Sequence, residues 1–201
     1  MLTTAQARAK LAAAGAKPNR RKSVPLLKGR TPRMIGCMIL AIDAPEGFAV
    51  FDRGELVRSG EIERHESGQA LMQCSAAIGI AKMQGMEAVL VVEKEIRIPG
   101  RPFGGGRTLW QAQWKKAANE AKMATRIVRV PVSTWRAVVL GNGRLKHNDA
   151  RAREARIAAG VLDGPVDSDD EAAAICIGLW ARDSQAVFEA IPESKRRMVG
   201  G

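Results

Sequence analysis

Two carboxylates stand at the ends of apolar runs: Asp43 closes MILAI and Glu93 closes VLVV. A third acidic group, Asp167, Asp169, Asp170 and Glu171, opens the stretch DSDDEAAAICIGLWA at residues 167–181. Each apolar run reads as a buried strand, and ligand sites in α/β sheets form outside the carboxyl ends of strands. If the two strands are neighbours, Asp43 and Glu93 lie side by side and repel each other. A divalent cation relieves that repulsion. An oxygen-only donor set in a chain with two histidines favours Mg²⁺ or Mn²⁺. A helix beginning near Ser168 brings Asp169, Asp170 and Glu171 into its first turn, with Asp170 and Ala173 on one face. That face can complete a cation site. The same residues have a purely structural reading, because Ser168-x-x-Glu171 is a capping box and acids at a helix N-terminus oppose the macrodipole favourably.

The elements that would carry these acids are legible along the chain. MIGCMILAIDAP is a buried strand ending at Asp43, and GFAVFDRG and ELVRSGEI alternate as a hairpin joined near Arg53-Gly54. Residues 67–85 show helical spacing and end on a glycine. EAVLVVEKE (87–95) is a second wholly apolar strand, and 96–107 is a Gly/Pro/Arg loop. A helix over 108–124 sets Trp110 and Trp114 four apart on one face, where both are expected in the core with Trp135. Strand 126–132, a short helical piece, a helix near 147–159 and the acid-capped helix complete the order. A meander followed by alternating strands and helices predicts an α/β fold, a mixed sheet covered by helices.

Composition narrows the function classes. The 201 residues carry a net charge of +11, yet nine of the 32 Lys/Arg fall in residues 1–33, which hold no acid. Residues 34–201 are left with 23 basic and 21 acidic groups. Residues 1–33 are therefore predicted to be a basic, disordered arm suited to phosphate backbones, with Arg20, Arg21 and Lys22 at its centre. An organelle transit peptide is the other reading of an Arg-rich, acid-free segment. Residues 34–190 form the domain, and 191–201 a basic tail. Further phosphate contacts are expected from Arg97, Arg101 and Arg107 in the loop and from Lys115 and Lys116 on the following helix. No apolar run approaches the roughly 18 residues of a membrane span, so no membrane partner is expected. Three cysteines without a Cys-x-x-Cys argue against structural zinc and for buried free thiols in a reducing compartment. GGGR (104–107) lacks the Gly-Lys-Ser/Thr of a phosphate-binding P-loop.

Over residues 36–182 the chain resembles the RuvC-like Holliday-junction resolvases of the RNase H-like superfamily, in their short phage and bacterial versions. The resemblance rests on ILAID ending in Asp43, the GFAVFD hairpin, VLVVE ending in Glu93, and a final D-x-x-D-A type helix that here reads Asp170-Glu171-Ala172-Ala173-Ala174-Ile175-Cys176-Ile177. It implies an RNase H-like mixed five-stranded sheet flanked by helices. It also implies a Mg²⁺-dependent endodeoxyribonuclease that resolves four-way DNA junctions by paired symmetric nicks, in DNA recombination and repair. Asp43, Glu93 and Asp170, with Glu171 beside them, would hold two Mg²⁺ (or Mn²⁺) ions. The partners implied are branched DNA and a second copy of the chain. The helix at 67–85 offers Leu71, Met72, Ala76, Ile80 and Met83 for a homodimer. The compartment implied is a bacterial or phage-infected cytoplasm.

Two positions depart from the family pattern. The loop after the first strand is Asp43-Ala44-Pro45-Glu46-Gly47 rather than Asp-Pro-Gly-like, and the last acid of the final helix is replaced by Ala173. Three explanations of Ala173 stay open: a replaced native Asp, substitution by Glu171 or Asp169, or a junction-binding protein that has lost cleavage. A nuclease for RNA–DNA hybrids or a transposase-like enzyme is the remaining alternative.

Overall fold

The computed structural model describes residues 37–43, 46–62, 66–94 and 105–191, with side chains omitted at 105–107. The predicted arm, Arg97, Arg101 and the tail beyond Ile191 lie outside these residues. Five strands form one sheet: β1 (Cys37–Asp43), β2 (Gly47–Asp52), β3 (Glu55–Glu61), β4 (Glu87–Lys94) and β5 (Ile127–Pro131). Their spatial order is β3-β2-β1-β4-β5. β1 is antiparallel to β2 and parallel to β4; β2–β3 is antiparallel and β4–β5 parallel. This is the mixed sheet that the order of elements predicts, with the five strands that the resemblance implies.

The β2–β3 hairpin turns at Arg53 (φ 51°) and Gly54 (φ 87°). Two successive positive φ values give the turn that matches strand twist. The helices are α1 (Ser67–Met83), α2 (Gly105–Glu120), α3 (Val132–Val139), α4 (His147–Leu162), α5 (Asp169–Arg182) and α6 (Gln185–Ala190). α2 differs from its predicted span at both ends. Gly105–Arg107, expected in the loop, form its first turn. At the other end Lys122 takes φ 55°, and the Met123 N–H donates to the Ala118 carbonyl at 2.8 Å. That left-handed closure stops the helix before residue 124.

Strand alternation explains why β1 and β4 are apolar throughout. Cys37, Ile39 and Ala41, with Val89 and Val91, face α4, α5 and Trp135. Met38, Leu40 and Ile42, with Leu90 and Val92, face α1 and α2, where Trp110 and Trp114 are buried. Successive side chains of a strand point to opposite faces, so a central strand covered on both sides must be apolar at every position. α5 lies against the sheet through an almost continuous buried run, Glu171 to Gly178. Gly178 allows this approach, since a Cβ there would overlap the Phe51 ring. All three cysteines are buried free thiols. Burial pushes Cys74 up to about 12 and raises Cys37 and Cys176 as well.

Candidate metal centre

Parallel pairing of β1 with β4 runs from Cys37↔Glu87 to Ile42↔Val92. One step further along that register come Asp43 and Glu93, adjacent at the carboxyl ends of neighbouring central strands. Alternation turns both toward the α5 face, because they follow Ala41 and Val91 by two residues. For Glu93 a direct contact agrees: Trp135 Nε1 donates to its Oε2 at 3.1 Å. Trp135 is fully buried, so Glu93 is anchored to a fixed donor.

α5 delivers its acids to the same end of the sheet. Asp43 pairs with Gly47 at the start of β2. A Cβ on Gly47 would overlap the Asp170 main-chain carbonyl, so the first turn of α5 rests on β2 beside Asp43. Only glycine permits that approach. Ser168 caps the helix, its Oγ accepting from the Glu171 N–H at 3.1 Å. Asp169, Asp170 and Glu171 then diverge as helix geometry requires. Asp169 is exposed and Asp170 partly covered. Glu171 is 4% exposed, and its two oxygens accept from Ser59 Oγ (2.6 Å) and the Asp167 N–H (2.9 Å). The structure therefore sets Asp43 and Glu93 side by side with the main chain of α5's first turn close by, but the Asp170 carboxylate groups with Glu46 and Glu61 rather than with that pair, and Glu171 turns toward β3. Ala173, one turn beyond Asp170, is buried at 2% exposure.

Several participants were missed by sequence reasoning. Carboxylate oxygens of Glu46, Glu61 and Asp170 lie within 4.8 Å of one another, a grouping able to hold a cation. Glu46 follows Asp43 in the loop, and Glu61 ends β3 opposite Gly47. The register of the hairpin is the signal that could have found Glu61. Arg151 on α4 is 3.0 Å from Asp169 and 3.5 Å from Asp170. One turn further on, Glu154 is 1% exposed and accepts from Arg136 Nε at 2.8 Å. Burial raises the pKa of Glu154 most; Arg136 and Arg151 pull it down and Glu93 pushes it up. No sequence signal links α4 to α5, because the pairing depends on how the two helices pack.

The donor set tests whether a cation fits. Glu46, Glu61 and Asp170 group their carboxylates, and Asp43 and Glu93 sit at neighbouring strand ends; both sets offer hard oxygen donors alone, suited to Mg²⁺ or Mn²⁺. A guanidinium already resides on the α5 acids, so the corner attracts positive charge. Of the expected phosphate-contacting residues, Lys115 and Lys116 are exposed on α2, and Arg107 lies in that helix's first turn. Among the described residues no helix is long and apolar enough to cross a membrane.

No protein-family model and no curated protein matches the chain. Solved structures do. Thermus thermophilus RuvC is similar at 14% identity, with 72% of this chain and 95% of that one covered and a TM-score of 0.48. T. thermophilus RuvC in complex with a Holliday-junction substrate is similar at 14% identity, with 75% and 98% covered and a TM-score of 0.50. At a TM-score of 0.50 the second likeness shows a shared fold: the chain has a RuvC-like α/β fold, a mixed five-stranded sheet flanked by helices, as the resemblance implies.

Proposed function

We propose that this chain is a divalent-cation-dependent endonuclease of the junction-resolving type. The observation that carries the reading is the convergence of Asp43, Glu93 and the first turn of α5 at the carboxyl end of the two central strands. Asp43, Glu93 and Asp170 would hold the Mg²⁺ or Mn²⁺ ions. When bound, such ions supply a water of lowered pKa and stabilise charge on the departing 3′ oxygen. The protein's own residues do the positioning. Trp135 fixes the Glu93 carboxylate, and Gly47 lets α5 come close enough to present Asp170. Glu171 acts as a positioning residue, tying the α5 cap to β3 through Ser59.

Branched DNA is the substrate class that the likeness to a RuvC–Holliday junction complex supports. Lys115, Lys116, Arg107, Arg97 and Arg101 would hold the flanking backbone, joined by Arg20, Arg21 and Lys22 of a basic arm at 1–33. A homodimer would match the two-fold symmetry of a four-way junction. Its favoured surface is α1, where Met72 (54% exposed) and Met83 (82%) flank an exposed Ala76.

The test is cleavage of a labelled four-way junction in Mg²⁺ or Mn²⁺ by this chain and by Asp43→Asn and Glu93→Gln. Each substitution is expected to lower cleavage by roughly 10²–10³-fold, as the loss of a metal-dependent transition-state interaction does. Junction affinity should persist. Cleavage that continues in EDTA, or that survives Asp43→Asn, contradicts the reading.

A further inference from the structure

We propose that Arg151 is a built-in counter-ion of the α5 carboxylates, occupying them in the absence of a divalent cation and competing with one that binds there. The inference rests on the reading of Asp170 as a cation ligand and deepens it. The first turn of α5 concentrates Asp169, Asp170 and Glu171. Among the described residues no cation pairs with Glu171, whose two oxygens accept from Ser59 Oγ and the Asp167 N–H. Asp169 and Asp170 share a single guanidinium nitrogen, Arg151 Nη1, at 3.0 and 3.5 Å.

Arg151 is held in place for that task. Its Nε donates to His147 Nε2 at 3.0 Å, one turn back on α4, and its side chain is 30% exposed. Glu154, the buried acid one turn further along α4, takes its hydrogen bond from Arg136 rather than from Arg151. The result is a row of pairs leading across the face of the sheet: Trp135 with Glu93, Arg136 with Glu154, Arg151 with Asp170. Only the last pair has its cation on an acid that the proposed chemistry needs free. Ala173 sharpens the competition, because it supplies no further carboxylate on this face to outbid a guanidinium for the cation. Arg151 acts through Asp170, so it is a positioning residue. Its effect belongs to cation binding as well as to cleavage.

Calorimetric titration of Mn²⁺ into the full chain, at two ionic strengths, tests this with Arg151→Gln, Arg151→Lys and Asp170→Asn. Arg151→Gln should tighten the Asp170-dependent step by about tenfold, the effect of removing one close charge at intermediate screening. Arg151→Lys should stay near the parent, and Asp170→Asn should lose the step. An Arg151→Gln protein that binds Mn²⁺ unchanged or more weakly overturns the inference. Should Arg151→Gln fail to fold, the Arg151 Nε–H resonance of the parent chain decides: it must shift as Mg²⁺ saturates the site, and a resonance that stays put overturns the proposal. Loss of all Mn²⁺ binding dependence on Asp43 and Glu93 would instead remove the metal-centre reading itself, and this proposal with it.

Discussion

Glu154 is a buried carboxylate whose chemistry is set by its surroundings. Desolvation holds its pKa above the ordinary 4.5 despite Arg136 and Arg151, and Glu93 adds to the rise. A raised pKa means that the native state binds the proton more tightly than the unfolded chain. Its contribution to stability is therefore complete below the unfolded value and declines as pH rises through the folded one. Urea unfolding of the parent and Glu154→Gln between pH 4 and 8 should show the parent losing stability relative to the variant as pH increases. A difference that is flat with pH, or that grows, contradicts the assigned environment. Ser168 offers a simpler case: Ser168→Ala removes the acceptor for the Glu171 N–H and should cost about 1 kcal/mol, measured by the same unfolding experiment.

How α5 sits on the sheet depends on two glycines. Gly178→Ala drives a methyl into the Phe51 ring and should destabilise by about 1–3 kcal/mol as an overpacked core, read as a lower melting temperature. Gly47→Ala pushes against main chain at Asp170, which cannot swing aside like a ring. It should reduce cleavage and Mn²⁺ affinity beyond its effect on stability, because it displaces Asp170 from Asp43. Much of this architecture was readable in advance. The apolar runs ending at Asp43 and Glu93 needed burial on both faces, which sets them centrally, and the Ser168 cap located the start of α5. Arg53-Gly54 likewise announced the hairpin. Other features were not legible. The Gly105–Arg107 stretch looks like a loop by composition, yet glycine at a helix's first turn loses little. Glu171 resembled a ligand because spacing along a helix does not say which neighbour a side chain reaches; here Ser59 on β3 claims it. Arg151, Glu154 and Arg136 are ordinary surface charges in one dimension and become a network only when α3, α4 and α5 pack together.

At the scale of the molecule, α1 carries an exposed apolar face among the described residues. Met72 and Met83 on α1 project from a helix whose other side is sealed against the sheet. With Gly68 and Gly79 leaving open space around them, the face is suited to a close helix–helix contact. Sedimentation equilibrium should show a dimer that Met72→Glu combined with Met83→Glu converts to monomer, with the fold retained by circular dichroism. A parent chain that is monomeric at all concentrations contradicts a dimer through α1. The most direct measurement maps nicks on each strand of an end-labelled four-way junction in Mg²⁺ or Mn²⁺, for this chain and for Ala173→Asp, with a linear duplex and an RNA–DNA hybrid alongside. The expected result is symmetric paired nicks on the junction alone, faster with Ala173→Asp, which adds a carboxylate one turn from Asp170. A junction bound tightly but cut by neither form, or a hybrid cut in preference, would contradict it.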